Sequence, residues 1–354
     1  MQHAARTTAL AGKIENPLLV TRLPNIRYLT GFAGSSAYLL VKPGGGGSFL
    51  TDGRYGEAAA PLVAALDGFD LIVSTGPLWE ALAGMLDGLG AMGVEEAGVT
   101  WEFVRTLREK TGIDAIPTSG SVESLRRVKD QAEVDALTAA ARAGDRAFSE
   151  VPRLIAEAPV ENDLGWALTS EMRRHGGDPA DWDPIVAIGA GASIPHYHSG
   201  DVPIETGMLL LDYGCIVDGY HSDMSRTVWL GPEPDPELSR VYRAVAESQQ
   251  AGIDAVAPGV SCGAVDEAVR EVLRGYGYED QFLHSTGHGV GLEIHEEPWV
   301  RRGNDDLLQV GNAITVEPGV YLAGKGGVRI EDMVLVTEDG PVLLTESSRE
   351  MMPS

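Results

Sequence analysis

Residues 211–227 read "LDYGCIVDGYHSDMSRT" and carry two acids, Asp212 and Asp223, into a segment that otherwise has the pattern of a core hairpin. Leu209, Leu210 and Leu211 lead into it and Val228, Trp229 and Leu230 follow, as expected of strands leaving a hydrophobic core. Asp218-Gly219 is the strongest short-range signal for a two-residue type I′ turn. With those residues as the loop, Val217 pairs with Tyr220 and Asp212 faces Ser225, two residues from Asp223 on the same strand. Side chains alternate with period two, so both acids emerge on one face as diagonal neighbours. Carboxylates that close repel unless a cation lies between them or one keeps a proton. Taken alone, the segment is equally compatible with a surface hairpin whose acids are solvated.

Composition narrows the possibilities. A chain of 354 residues is long for one core and suggests two domains. Lys plus Arg is 27 against 52 for Asp plus Glu, a formal net charge of −25, which argues against nucleic acid or an anionic membrane as the main partner. Cys215 and Cys262 are too few for a disulfide scaffold and are not spaced as a zinc ribbon. The first twenty residues lack a basic start followed by an apolar core, and no apolar stretch is long enough to span a membrane. The expectation is a soluble cytoplasmic protein.

The pattern divides the chain into residues 1–122 and 123–354. In the first part "AYLLV" and "SFLTD" flank "KPGGGG", a flexible hairpin loop without the Lys-Ser/Thr ending of a phosphate loop. "PLWEALAGMLDGLG" predicts a helix and "AMGVEE" a strand. The second part opens with a helical run from "SLRRVKD" onward, on the spacing of Leu125, Val128, Val134 and Leu137. Beyond it, helices over about 161–175, 235–256 and 263–276 alternate with strands around 183–189, 207–213, 220–230, 313–320 and 328–337.

Three segments of this second part add polar residues to the two acids. "FLHSTGHGVGLEIHEEP" (282–298) sets His284, His288 and His295 among glycines that let backbone approach a ligand closely. "AITVEPGVY" (313–321) brings Glu317 to the end of an apolar strand, and "GVRIEDMVLV" (327–336) carries Glu331 within one, with Arg329 on the same face. A charge in such a strand is rarely buried unless it is paired or holds a metal. Asp212, Asp223, His288, Glu317 and Glu331 form an oxygen-rich set that suits two divalent cations about 3.5–4 Å apart, with manganese first and zinc or cobalt as alternatives.

These motifs resemble the M24 metallopeptidases, the prolidase and aminopeptidase P group with the pita-bread fold. "NIRYLTGFAGSSAYLLV" and "FLTDGRYGEAA" extend the likeness into the first part, so it covers nearly the whole chain. The resemblance implies an α+β protein with a creatinase/prolidase-type N-terminal domain, followed by a catalytic pita-bread domain. It also implies that Asp223 and Glu331 bridge the metals, that Asp212 holds one of them, and that His288 with Glu317 holds the other. His196 in "IPHYHSGD" and His295 match substrate-side histidines, His284 matches a third, and Arg329 matches a basic residue behind the metals. The implied reaction is hydrolysis of the bond before proline in proline-containing peptides, with Glu317 as proton shuttle, and the implied assembly is a homodimer. Metal-free relatives and non-catalytic binding modules of this fold lack the ligands that this sequence keeps. One departure bears on substrate length. Prokaryotic prolidases carry an arginine after the His-Glu-x-Pro segment, whereas "HEEPWVRR" has Trp299 there, a flat surface for a proline ring. The expected activity is therefore release of the first residue from Xaa-Pro-Xaa peptides, with prolidase as the alternative.

Overall fold

The computed structural model describes residues 2–351 and divides into two compact units that meet in sequence at Arg126 and Arg127. The first unit is built on a six-stranded mixed sheet: β1 (Leu18–Val20), β2 (Ala37–Val41), β3 (Gly47–Asp52), β4 (Phe69–Ser74), β5 (Ala91–Glu95) and β6 (Asp114–Thr118), in the order β4-β3-β2-β1-β5-β6. β1, β2 and β3 are antiparallel neighbours, whereas β3–β4, β1–β5 and β5–β6 run parallel. The glycine loop expected between "AYLLV" and "SFLTD" is the β2–β3 connection. Buried Leu19, Leu40, Leu50, Leu82 and Leu107 bind the sheet to its covering helices.

The second unit begins with a departure from expectation. No continuous helix runs through residues 123–149. A short helix, Glu123–Arg126, belongs to the first unit, and a long one, Gln131–Ser149, starts anew in the second. The cause is local. Asp130 accepts from the Glu133 backbone N–H (3.0 Å) and Glu133 accepts from that of Asp130 (2.9 Å), a capping box that starts a helix rather than continuing one. Val128, assigned to the apolar stripe, is 39% exposed, while Lys129 turns inward to a buried pair with Glu296 at 2.6 Å.

Two antiparallel sheets carry the functional face of this unit. The first comprises β8 (Ile185–Ile188), β9 (Gly207–Tyr213) and β12 (Met224–Leu230), in the order β12-β9-β8. Strands β10 (Cys215–Val217) and β11 (Tyr220–His221) extend its hairpin, and β7 (Asp178–Pro179) pairs with β10. The other has the order β14-β13-β15-β18-β19, from β13 (Gly287–Gly289), β14 (Glu296–Val300), β15 (Ala313–Val316), β18 (Asp332–Thr337) and β19 (Gly340–Leu343). A separate ribbon pairs β16 (Gly319–Leu322) with β17 (Gly326–Arg329). Helices Pro236–Asp254 and Cys262–Tyr276 pack their apolar stripes into one core with Val316, Val320, Val328 and Val334. Among the described residues no helix is long and apolar enough to cross a membrane.

Candidate metal centre

The hairpin has the register read from its turn. Val217 pairs with Tyr220 and Asp212 with Ser225, and Asp218 and Gly219 take φ of 50° and 86°, as a type I′ turn requires. Between the turn and the main ladder the strands come very close. A Cβ on Gly214 would lie 1.9 Å from the Ser222 carbonyl oxygen, so only glycine fits there. Asp223 lies in the short interruption between β11 and β12.

The two glutamates occupy comparable interruptions. The expected strand 313–320 is two strands, β15 and β16, and the chain passes from one sheet to the other across Glu317-Pro318. The expected strand 328–337 likewise breaks between β17 and β18, at Ile330-Glu331. At such crossovers the ladder lapses and a side chain can turn toward a point shared by several sheets. Ser225, opposite Asp212, fastens this point. Its backbone carbonyl accepts from the Glu331 N–H (3.0 Å), its hydroxyl donates to Glu331 Oε2 (2.8 Å), and it accepts from Arg329 Nε (2.9 Å).

Asp212, Asp223 and Glu331 can each bring one ligand atom within 4.8 Å of the others, as can His288, Glu317 and Glu331, and Asp223, His288 and His295. The residues singled out in the sequence therefore converge, and His196, His284, Trp299 and Arg329 line the same cleft of about 670 Å³. His196 and His295 are exposed on its walls, and the His295 ring stands edge-to-face on His288 at 4.3 Å. Trp299 is 36% exposed, with its ring 6.4 Å from His295 and 6.2 Å from His288. Arg301 and Arg302 are exposed, and Arg302 pairs with Glu279 at 2.7 Å.

The donor set lacks a positive partner at its centre. His288 directs Nδ1 at the Gly289 carbonyl (3.1 Å), which puts the proton there and a lone pair on Nε2. That lone pair faces Glu317 Oε1 at 3.3 Å and Asp223 Oδ2 at 3.6 Å, contacts that need a proton or a cation between their atoms. Burial pushes the His288 pKa down, so a proton is a poor remedy. Asp212 Oδ1 is buried without a hydrogen-bond partner. Burial, and then repulsion from neighbouring acids, holds Asp223 and Glu331 well above the usual carboxylate range. Glu317 is pushed up to about 8, chiefly by burial. Cations would relieve these unfavourable protons, and oxygen with one imidazole is a donor set for hard or borderline divalent metals. The residues fit the two ions that the sequence implies.

Arg329 spans the back of the cluster. It pairs with Asp212 Oδ2 and donates to the Tyr321 hydroxyl at 2.9 Å. Tyr321 in turn meets His284 Nε2 at 2.8 Å, and His284 Nδ1 donates to the Ser285 carbonyl at 2.8 Å. Both His284 nitrogens are thus engaged, and burial lowers its pKa to about 4. His295 is likewise lowered to about 4, first by the partial burial of its ring against the cleft wall and then by His288, so it is neutral with a single N–H to donate.

Tyr321 and Ser225 escaped the sequence reading, although each had a signal. Tyr321 lies two and four residues beyond Gly319 and Glu317 in the quoted "VEPGVY" segment, and Ser225 is the register partner of Asp212. Trp182 and Asp183, also in the cleft wall, lie in the loop before β8 and gave no signal.

Residues 135–338 match metallopeptidase family M24, and residues 13–128 match the creatinase/prolidase N-terminal domain. The chain is 31% identical to an Xaa-Pro dipeptidase of Pyrococcus furiosus over 340 residues, 95% of this chain and 94% of that one. Among solved structures, an Xaa-Pro dipeptidase from Bacillus anthracis is similar at TM-score 0.93 and 33% identity, covering 99% of both chains. An X-Pro aminopeptidase from Thermotoga maritima is similar at TM-score 0.85 and 30% identity, covering 95% of this chain and 97% of that one. The fold is therefore a creatinase/prolidase-type α/β domain followed by a pita-bread metallopeptidase domain.

Proposed function

The chain belongs to metallopeptidase family M24, and from that premise we propose that it is an Xaa-Pro aminopeptidase, releasing the residue before proline from peptides of three or more residues. The observation that carries the finer choice is the Trp299 wall. Holding the carboxylate of a dipeptide at a closed end calls for a free cation, best an arginine fork. Among the described residues the one arginine lining the cleft, Arg329, is buried against Asp212 and Tyr321, while Arg301 and Arg302 are exposed outside the lining and Arg302 pairs with Glu279. A second reading, Xaa-Pro dipeptidase, is favoured by the names of the Bacillus anthracis and Pyrococcus furiosus proteins.

In this reading Asp212, Asp223, His288, Glu317 and Glu331 hold two divalent cations, manganese being our choice on the hardness of the oxygen donors. When bound, the pair supplies Lewis-acid polarisation of the scissile carbonyl and activation of water near neutral pH. His295 and His196 donate hydrogen bonds to the carbonyl oxygen as it gains charge, where one well-placed donor is worth roughly 3–4 kcal/mol. Glu317 takes a proton from water and passes it to the proline nitrogen, the carboxylate being freed for this once the cations displace its proton. Arg329 and Tyr321 fix Asp212 from behind, and the Trp299 ring supports the proline. His284 meets the substrate through its ring edge, since both its nitrogens are engaged. A cytoplasmic homodimer completes the proposal.

Hydrolysis of Ala-Pro and Ala-Pro-Ala, compared after dialysis and manganese add-back, tests it. The tripeptide should be the better substrate, and Trp299→Arg should shift preference toward the dipeptide. Dipeptide hydrolysis by the wild type at least as efficient as that of the tripeptide would give the dipeptidase reading the field.

A further inference from the structure

A second cavity of about 300 Å³ shares Trp182, Asp183, Tyr197 and His198 with the metal-site cleft. One wall is a face of the helix Glu161–Arg174. Its opposite face packs Leu164, Leu168 and Met172 into the core, while Asn162, Gly165, Trp166 and Thr169 turn toward the cavity. Trp166 is 71% exposed, an unusual position for so large an apolar ring. Pro179, Trp182 and Pro184 form the facing wall, and Tyr197 closes one side.

These walls are fixed in place. Fully buried Glu161 accepts from the Ile188 N–H (2.9 Å), the Gly200 N–H (3.0 Å) and the Tyr197 hydroxyl (3.0 Å), tying the 197–200 loop to the start of the helix. Ser199 accepts from the Val186 N–H at 2.8 Å. Several polar groups facing the cavity are already engaged. Thr169 donates to the Gly165 carbonyl (3.1 Å) and Asn162 to Asp201 (3.1 Å). What remains for a ligand is chiefly aromatic and proline surface, with Asp183, His198 and the unpaired Trp182 indole N–H beside it to bind a backbone carbonyl or fix its direction. Extended proline-rich chains, poor in N–H donors and preformed in a left-handed helix, dock on aromatic-lined grooves of this composition.

The direction of a bound chain follows from the chemistry. A peptidase that removes one residue from the N-terminus has a single residue on that side of the bond. Any segment leaving its cleft is therefore the C-terminal continuation of the substrate. We propose that this cavity binds that continuation, that it selects proline-rich sequences there, and that Trp166 is the platform on which a proline ring stacks. The assignment rests on the aminopeptidase reading and narrows it to a substrate class.

The test compares Ala-Pro-Ala with the same tripeptide extended by three prolines or by three alanines, in the wild type, Trp166→Ala and Trp166→Phe. In the wild type the proline extension should lower KM by about tenfold relative to the alanine extension, with kcat little changed. Trp166→Ala should bring that ratio to about one, and Trp166→Phe, which keeps a ring, should retain most of it. A wild-type ratio near one, or a ratio that survives Trp166→Ala, overturns the assignment. If the wild type cleaves dipeptides alone, the aminopeptidase reading falls, and the cavity is tested by itself. An acetylated proline pentamer amide, which has no free N-terminus, should then quench tryptophan fluorescence saturably, at least tenfold more weakly in Trp166→Ala. Absence of saturable quenching overturns the site.

Discussion

Glu331 and Asp332 are adjacent in sequence and both buried, yet they have opposite surroundings. Asp332 is fully partnered. It accepts from Arg226 Nη2, Gln249 Nε2 and the Thr345 hydroxyl at 2.6 Å each, and pairs with Arg349 at 2.9 Å. Glu331, one residue earlier, has the Ser225 hydroxyl on one oxygen and otherwise faces Asp212, Glu317 and His288. Successive side chains point to opposite sides of an extended chain, so one residue separates a charge neutralised by the protein from one left for a ligand. Arg226 serves both, because its guanidinium also donates to the Ser225 carbonyl (2.9 Å) and the Glu331 carbonyl (2.5 Å). The difference shows how a stable fold holds several destabilising acids: the burial of one face is compensated by cations of the chain itself.

That contrast can be broken from either side, and the largest effect is expected at Glu331. Glu331→Gln should abolish measurable peptidase activity and lower bound metal from two ions per chain to one or none. The metal-free melting temperature should be no lower than that of the wild type, since a repelling charge has gone. Metal analysis beside a melting curve checks both, and two ions with unchanged turnover would refute the assignment.

Asp332→Ala is the reciprocal change. It leaves fully buried Arg226 without its carboxylate, and removing one member of a buried pair costs about 3–5 kcal/mol. The expected result in urea denaturation is a loss of that size, and a loss below about 1 kcal/mol would mean that the pair is replaceable by water.

His295→Ala sharpens where the ligand-facing side ends. Loss of a hydrogen-bond donor to the developing oxyanion should lower kcat by roughly 10² to 10³ with both metals retained. Loss of metal instead would make His295 a ligand, grouped as it is with Asp223 and His288.

The smallest expected effect is a pH dependence confined to the metal-free protein. Glu317 has a folded value of about 8, above the ordinary glutamate value of about 4.3 in the unfolded chain. Between those values the folded state binds the extra proton, so stability is greatest at the acid end and falls as pH rises toward 8. Melting in EDTA should therefore be lower at pH 8 than at pH 6, and saturating manganese should remove the difference. A metal-free protein that melts higher at pH 8 would contradict the raised value that burial gives Glu317.

Much of the centre was legible because its signals are local. The Asp218-Gly219 turn set the hairpin register, and alternation put Asp212 and Asp223 on one face, as found. The start of the long helix at Gln131 is equally local, written in Asp130 and Glu133, but the apolar spacing of Leu125 and Val128 continues through it and masks the capping box. The breaks at Glu317 and Glu331 were not legible. Each lies inside an apolar run that reads as one strand, and only pairing with different sheets divides it.

The sequence by itself determined the turn, the strand faces and the kinds of ligand, since these depend on backbone dihedrals and side-chain chemistry within a few residues. Tertiary structure alone decided that Ser225 binds both Glu331 and Arg329, that Tyr321 engages His284, and that Trp166 stands beside a cavity continued from the cleft. Those contacts join residues up to a hundred or more positions apart. Their geometry is set by how sheets cross and helices pack, which no local pattern of residues encodes.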